Sequence, residues 1–306
     1  MKTNKLALSI FAATAMAASA SALATDMYID LGSNVYDDTV ILPNTTQITG
    51  AAFDADTTTS VFTEFGFSQL LATSVYDATM GPIGLGTTFY DTNKTTDFVA
   101  LGINPTISGT ALDTLTSVTL SQPLPGQVDV DNLSPLTDSD DVEGFGNTWQ
   151  LTSEYFLNGV ITAAGPMYTS GSFTITFESL ISATTFVALE ASLTGSNITG
   201  PNLDLFFDIT AAADNFLYVK APGSGFVDVF DMLANGGSPT IKLDTNVNPP
   251  LPQDFQLLAL TDANGDVAVR QTTLDGTFVV NVPEPSSIAI FGAGLLALAG
   301  LRRKAK

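Results

Sequence analysis

Apolar and polar residues alternate with period two through most of this 306-residue chain. In "SFTITFES", Phe173, Ile175 and Phe177 alternate with Thr174, Thr176 and Glu178. In "NLDLFFDIT", Leu203, Leu205, Phe207 and Ile209 share one face and Asp204 and Asp208 the other. "TFVALEASLT" groups Val187, Leu189, Ala191 and Leu193; "TSVFTEFGF" groups Val61, Phe65 and Phe67; "NTWQLTSEYF" groups Trp149, Leu151 and Tyr155. Side chains point alternately to the two faces of a strand, so this pattern buries one face and wets the other. Residues 27–31, 87–90, 216–220, 226–230, 255–260, 267–271 and 276–282 are further predicted strands.

No stretch between the two ends carries a three-four apolar repeat of helical length. Clusters of Gly, Pro, Asn and Asp punctuate the strands instead, and Asn264-Gly265 in "TDANGDV" marks a hairpin turn between two apolar runs. The expected class is all-β, an antiparallel β-sandwich or jelly-roll-like body; alternation alone does not separate sandwich from barrel. Residues 122–147 break the rhythm. This Pro-, Gly- and Asp-rich stretch leaves little room for strands and reads as a long loop or as a linker dividing the body near 135. One domain over 25–281 is the expectation, with the division as the alternative. Three Tyr-Asp echoes, at 34–39, 74–79 and 88–93, share no period and read as strand ends followed by turns.

The ends are different. Lys2 and Lys5 precede the apolar run Leu6 to Ala17, and Ala22-Leu23-Ala24 fits a small-residue cleavage site. Residues 1–24 therefore read as a secretory signal peptide, with the mature chain starting near Thr25. At the other end, 16 uncharged residues from Ser286 to Leu301 precede Arg302, Arg303 and Lys304. A helix of that length spans about 24 Å, short of the ~30 Å hydrocarbon core. It reads as a short transmembrane helix with a cytoplasmic basic end, which agrees with a body exported through the secretion machinery.

Between those ends the charge is lopsided. Residues 25–281 hold 30 of the 31 acids but only Lys94, Lys220, Lys242 and Arg270 as bases, a net charge of −26. The anomaly is missing base, which leaves no footprint for nucleic acid. The absence of cysteine and histidine excludes disulfides, thiolate chemistry, Ser-His-Asp arrangements and His-bound metals. No P-loop or dinucleotide fingerprint occurs. Paired carboxylates could cleave glycosidic bonds, but Glu64, Glu154, Glu178 and Glu190 alternate with apolar residues and so face solvent. No enzymatic activity is expected.

One metal site is a candidate. Asp129, Asp131, Asp138, Asp140, Asp141 and Glu143 crowd the 122–147 stretch, and Ca²⁺ takes six to eight oxygens in flexible geometry. The simpler reading of that stretch is a solvated acidic turn. A second turn, Asp262, Asn264 and Asp266, departs from an EF-hand at Val267 and Thr273. No other cofactor is expected. Trp149, Tyr155 and Tyr168 are either exposed stacking platforms for a sugar or members of the core.

The order Val282-Pro283-Glu284-Pro285, a short apolar helix, then a basic end resembles a PEP-CTERM sorting domain over residues 282–306. That resemblance implies recognition of Pro283, Glu284 and Pro285 by an exosortase, transient anchoring in the inner membrane, and removal of the helix. The chain would then pass to the cell surface or to a biofilm and exopolysaccharide matrix. A structural or adhesive role follows as the expectation; a carbohydrate-binding module is the alternative, and an acidic glycan hydrolase a more distant one.

Overall fold

A computed structural model describes residues 25–34, 57–93, 132–136, 143–146, 148–199, 202–246, 258–261 and 266–282. The predicted signal peptide, the predicted turn at Asn264-Gly265 and the tail beyond Val282 lie outside the described residues.

The body is built from antiparallel strands in two sheets. The larger contains β2 (Glu64–Asp77), β3 (Thr88–Thr92), β4 (Asn132–Leu136), β5 (Trp149–Thr162), β6 (Gly165–Ser179), β7 (Thr185–Thr199), β8 (Asn202–Ala212), β11 (Thr240–Asn246), β12 (Leu258–Thr261) and β13 (Asp266–Asn281). Its order is β12-β13-β11-β8-β7-β6-β5-β3-β2-β4, and β13 also pairs with β2 from Val267↔Asp77 to Phe278↔Phe65. That pairing closes the ladder, so the sheet curls into a sandwich-like body packed around its own inner face. Closure leaves the strands of the ring with neighbours on both sides, the strongest protection against edge-to-edge association. Strands β3 and β4 lie one after the other between β2 and β5, each pairing with both. The 122–147 stretch, expected to leave little room for strands, thus contributes β4 to the same sheet as its flanking strands.

Aromatic rings fill the interior. Phe65 stacks on Phe278 with centroids 4.5 Å apart, Phe173 meets Phe278 and Phe207 at 5.9 and 5.6 Å, and Phe177 stacks on Phe186 at 4.8 Å. Trp149 is fully buried beside Phe177, and its indole N–H donates to the Glu143 carbonyl at 2.9 Å. The predicted faces of β5, β6 and β8 match the buried positions along each strand.

Two faces differ from the alternation, and a β-bulge explains each. Opposite Ile175 and Thr176, β7 carries one extra residue, so Leu189 and Val187 flank the inserted Ala188. Ala188 is buried and Val187 is exposed, reversing the face expected for Val187. In β2, Ser68 and Gln69 stand between Phe67 and Leu70, where β13 has only Asp275 between Gly276 and Leu274. Odd-numbered Phe65 and Phe67 therefore point inward at one end of β2, and even-numbered Ala72 and Tyr76 at the other. One inserted residue moves every later side chain to the opposite face. Val61 is exposed because it precedes β2, while Phe62 is buried and bridges to Met27.

A second sheet, β1 (Met27–Ile29), β9 (Leu217–Lys220) and β10 (Phe226–Asp228), packs Met27, Ile29, Leu217 and Val219 onto the core. Residues 226–230 are not one strand as predicted. Asp228 ends β10 in an extended conformation and caps α1 (Val229–Ala234), its carboxylate accepting from the Phe230 N–H at 3.0 Å. A six-residue helix is too short to show a helical repeat, and its Asp cap supplies the boundary.

Gly276 sits where β13 crosses closest to β11 and β2. A methyl group there would overlap the Asp244 carbonyl and lie 2.7 Å from the Phe67 ring. Gly276→Ala is expected to destabilise the body by about 3 kcal/mol, the upper range for overpacking. Urea unfolding of both proteins measures it, and an unchanged midpoint would show that the crossing yields.

Candidate functional site

Among the described residues, the chemistry concentrates inside the curled sheet. β2, β3 and β13 lie side by side, with Ser74 opposite both Asp91 and Arg270. All three side chains are buried, and Arg270 is only 3% exposed. From β6, the Tyr168 hydroxyl donates to Asp91 Oδ2 at 2.9 Å. The Phe89 ring meets Tyr168 edge-on at 5.1 Å and Tyr76 at 5.5 Å. The result is a polar cluster of Arg270, Tyr76, Ser74, Asp91 and Tyr168 closed off by aromatic rings.

Burial controls its ionisation. Loss of water pushes the Asp91 carboxyl up to about 6, opposed by the Tyr168 phenol, the Ser74 hydroxyl and the Arg270 charge. A pKa near 6 leaves Asp91 about nine-tenths ionised at pH 7, so a buried carboxylate faces a buried guanidinium. Burial also raises both tyrosines, Tyr168 well above its ordinary value, with the Asp91 charge adding to each. Both phenols therefore stay protonated, and Tyr168 acts as a donor to Asp91.

Beside Asp91, Tyr155, Tyr168 and Thr245 lies a cavity of about 20 Å³, otherwise walled by apolar side chains including Phe67, Phe173, Leu205 and Leu243. That volume holds about one water, whereas small-molecule sites run to roughly 300–1,000 Å³. The cluster is a structural element that ties three strands together, and the cavity does not admit a sugar or lipid.

The sequence signals for this cluster were misleading. The Tyr90-Asp91 echo was expected at a strand end before a turn, yet both residues lie within β3 and Asp91 is buried. The Tyr76-Asp77 echo does end a strand: Asp77 accepts from the Thr79 N–H at 2.9 Å and hydroxyl at 2.6 Å, which holds its carboxyl below the usual range. Arg270 follows the alternating Val267 and Val269 and so carries the pattern of a solvent-facing base.

Most of the calcium set, Asp129, Asp131, Asp138, Asp140 and Asp141, lies outside the described residues. Glu143 is described and buried, with a φ of 52°; its carbonyl accepts from Trp149 and from the Thr148 hydroxyl at 3.3 Å. No group of three or more acidic side chains among the described residues is placed to hold a metal ion. The exposed form of the Trp149, Tyr155 and Tyr168 platform is overturned: they are 0%, 7% and 5% exposed, because odd positions of β5 and the 168 position of β6 face inward. Glu154 and Glu190 face solvent as expected, and half-exposed Glu178 accepts from Gln150 Nε2 at 2.9 Å.

Pro283, Glu284, Pro285, Arg302, Arg303 and Lys304 lie outside the described residues. What the structure gives is their point of departure: β13 ends at Asn281, paired with Thr240, and Val282 packs against the core. No helix among the described residues is long and apolar enough to cross a membrane.

No curated protein and no solved structure matches the chain. A family model does match, that of the PEP-CTERM protein-sorting motif, over residues 281–304. It starts at the last residue of β13 and covers the Pro-Glu-Pro, the apolar run and both arginines. The chain thus carries a PEP-CTERM protein-sorting motif, which supports its export and processing by an exosortase.

Proposed function

We propose that the body is a non-catalytic structural or adhesive module, delivered to the cell surface or the exopolysaccharide matrix when its tail is removed. The observation that carries this reading is the junction at Asn281 and Val282. The closing strand ends at Asn281, Val282 packs against the core, and the Pro-Glu-Pro follows directly in the sequence. A cut beyond Val282 leaves on the released body every strand pairing and core side chain described above.

The interior favours a structural role over hydrolysis. Glycoside cleavage uses two carboxyl groups about 5–10 Å apart in a cleft, while the interior cavity is lined by one carboxylate, Asp91. Thirty acids against four bases keep such a body soluble and away from anionic surfaces.

Expression in matched cells with and without an exosortase tests the delivery. The expected result is tail-free protein in the surface or medium fraction only when the exosortase is present. Equal release from both cells would refute the reading.

A further inference from the structure

The outer face of the three-stranded sheet carries rings that the core does not use. Tyr28 on β1 and Tyr218 on β9 stand directly opposite each other, stacked at 4.8 Å with planes 4° apart. Phe226 on β10 meets Tyr28 edge-on at 4.9 Å and is 37% exposed. Their strand neighbours Met27, Ile29, Leu217 and Val219 are buried, so alternation directs these three rings outward.

The surroundings are acidic. Partial burial raises the Tyr28 hydroxyl pKa, and the charges of Asp30 and Asp228 raise it further. Tyr218 is raised by burial and then by Asp228, Tyr28, Asp30 and Asp214. The nearby base, Lys220, is bound to Asp26 at 2.7 Å. Aromatic faces carry negative charge density that attracts cations, and neighbouring carboxylates strengthen that field.

We propose that this face binds an amino-sugar polymer carrying free amines. Each part of the ligand meets a group on the page. Sugar C–H groups meet the outward parts of the Tyr28, Tyr218 and Phe226 rings, and hydroxyls donate to the exposed Asp214 carboxylate, since Asp228 already accepts from the Asn215 and Phe230 N–H groups. The ammonium groups enter the field of a body with a charge of −26. A basic peptide fits less well, because its backbone N–H and C=O groups need partners that rings and carboxylates supply only in part. An acidic polysaccharide is repelled. The inference rests on the proposed surface role only for where the polymer is met; binding itself is read in vitro and is separate from tail removal.

The test uses the full chain purified in detergent. Calorimetry is run with a glucosamine hexamer, an N-acetylglucosamine hexamer, hexalysine and polygalacturonate. The expected result is binding of the glucosamine hexamer, weakened by added salt, with the acetylated hexamer and hexalysine at least tenfold weaker and polygalacturonate inert. Tyr28→Leu and Tyr218→Leu should each lose at least tenfold, while Phe206→Ser, at an exposed ring on β8, changes nothing. Should either tyrosine variant fail to fold, Phe226→Ser at the exposed rim replaces it. Absence of hexamer binding, equal binding by the folded ring variants, or equal binding of hexalysine or the acetylated hexamer would overturn the proposal.

Discussion

Replacing Arg270 by methionine is expected to destabilise the body by about 3–5 kcal/mol at pH 7, the cost of leaving a buried charge without its partner. The loss should shrink at pH 5. In the native protein the Asp91 carboxyl sits at about 6 against an ordinary value of 3.8, raised by burial. A raised carboxyl means that the folded state binds the proton more tightly than the unfolded chain. Stability therefore rises as pH falls from above 6 towards 4, and the penalty present at neutral pH is about 3 kcal/mol. Methionine removes the cation that favours ionised Asp91, so Asp91 takes up its proton at higher pH in the variant. At pH 5 it is largely neutral in both proteins, and what remains is the lost packing and hydrogen bonding of the guanidinium. Urea unfolding from pH 4.5 to 7.5 measures the difference. Asp91→Asn keeps an acceptor for the Tyr168 phenol and should reduce the pH dependence over the same window. An Arg270→Met loss that is the same at pH 5 and pH 7 would mean that the two charges do not interact.

Glu284→Ala is expected to convert a released protein into a membrane-retained one. The matched sorting motif contains Pro283-Glu284-Pro285 and begins at Asn281, the last residue of β13. Loss of recognition leaves the 16-residue apolar run and its basic flank attached to a folded body. The body's stability should not change, because every described strand and core side chain precedes Glu284. Fractionation with antibody against the body reads the outcome: the variant stays with the membrane at the full-length size while its melting temperature matches the native body. Release of Glu284→Ala at the native rate would remove this residue from the recognition motif.

The strand class was legible because half-buried strands must alternate, and β5, β6 and β8 follow that rule over their buried stretches. The pairing of the two apolar runs that flank Asn264-Gly265 was legible, and Thr261↔Asp266 joins them. Bulges were not legible. Ala188 is apolar, and nothing in its local sequence marks it as the inserted residue that turns Val187 outward. Closure was hidden for a related reason: β2 and β13 are almost 200 positions apart, and their pairing depends on long-range register. The buried Asp91 and Arg270 obey the local pattern of surface charges, so only the three-strand neighbourhood shows that they face each other. The same alternation that misplaced them put Trp149 and Tyr155 on one face, which is the core face, while the exposed rings Tyr28 and Tyr218 lie on short strands. The sorting motif was legible because such a signal is read as local sequence and needs no fold.

The central claim is that a finished β body is cut from its tail just beyond the closing strand. Intact-mass measurement of the protein recovered from the surface fraction of exosortase-bearing cells tests it most directly. The account predicts a chain that starts near Thr25, retains Asn281 and Val282, and lacks the apolar run from Ser286 to Leu301. A surface-located chain whose mass still includes that run and the basic end at Arg302 and Arg303 would contradict it.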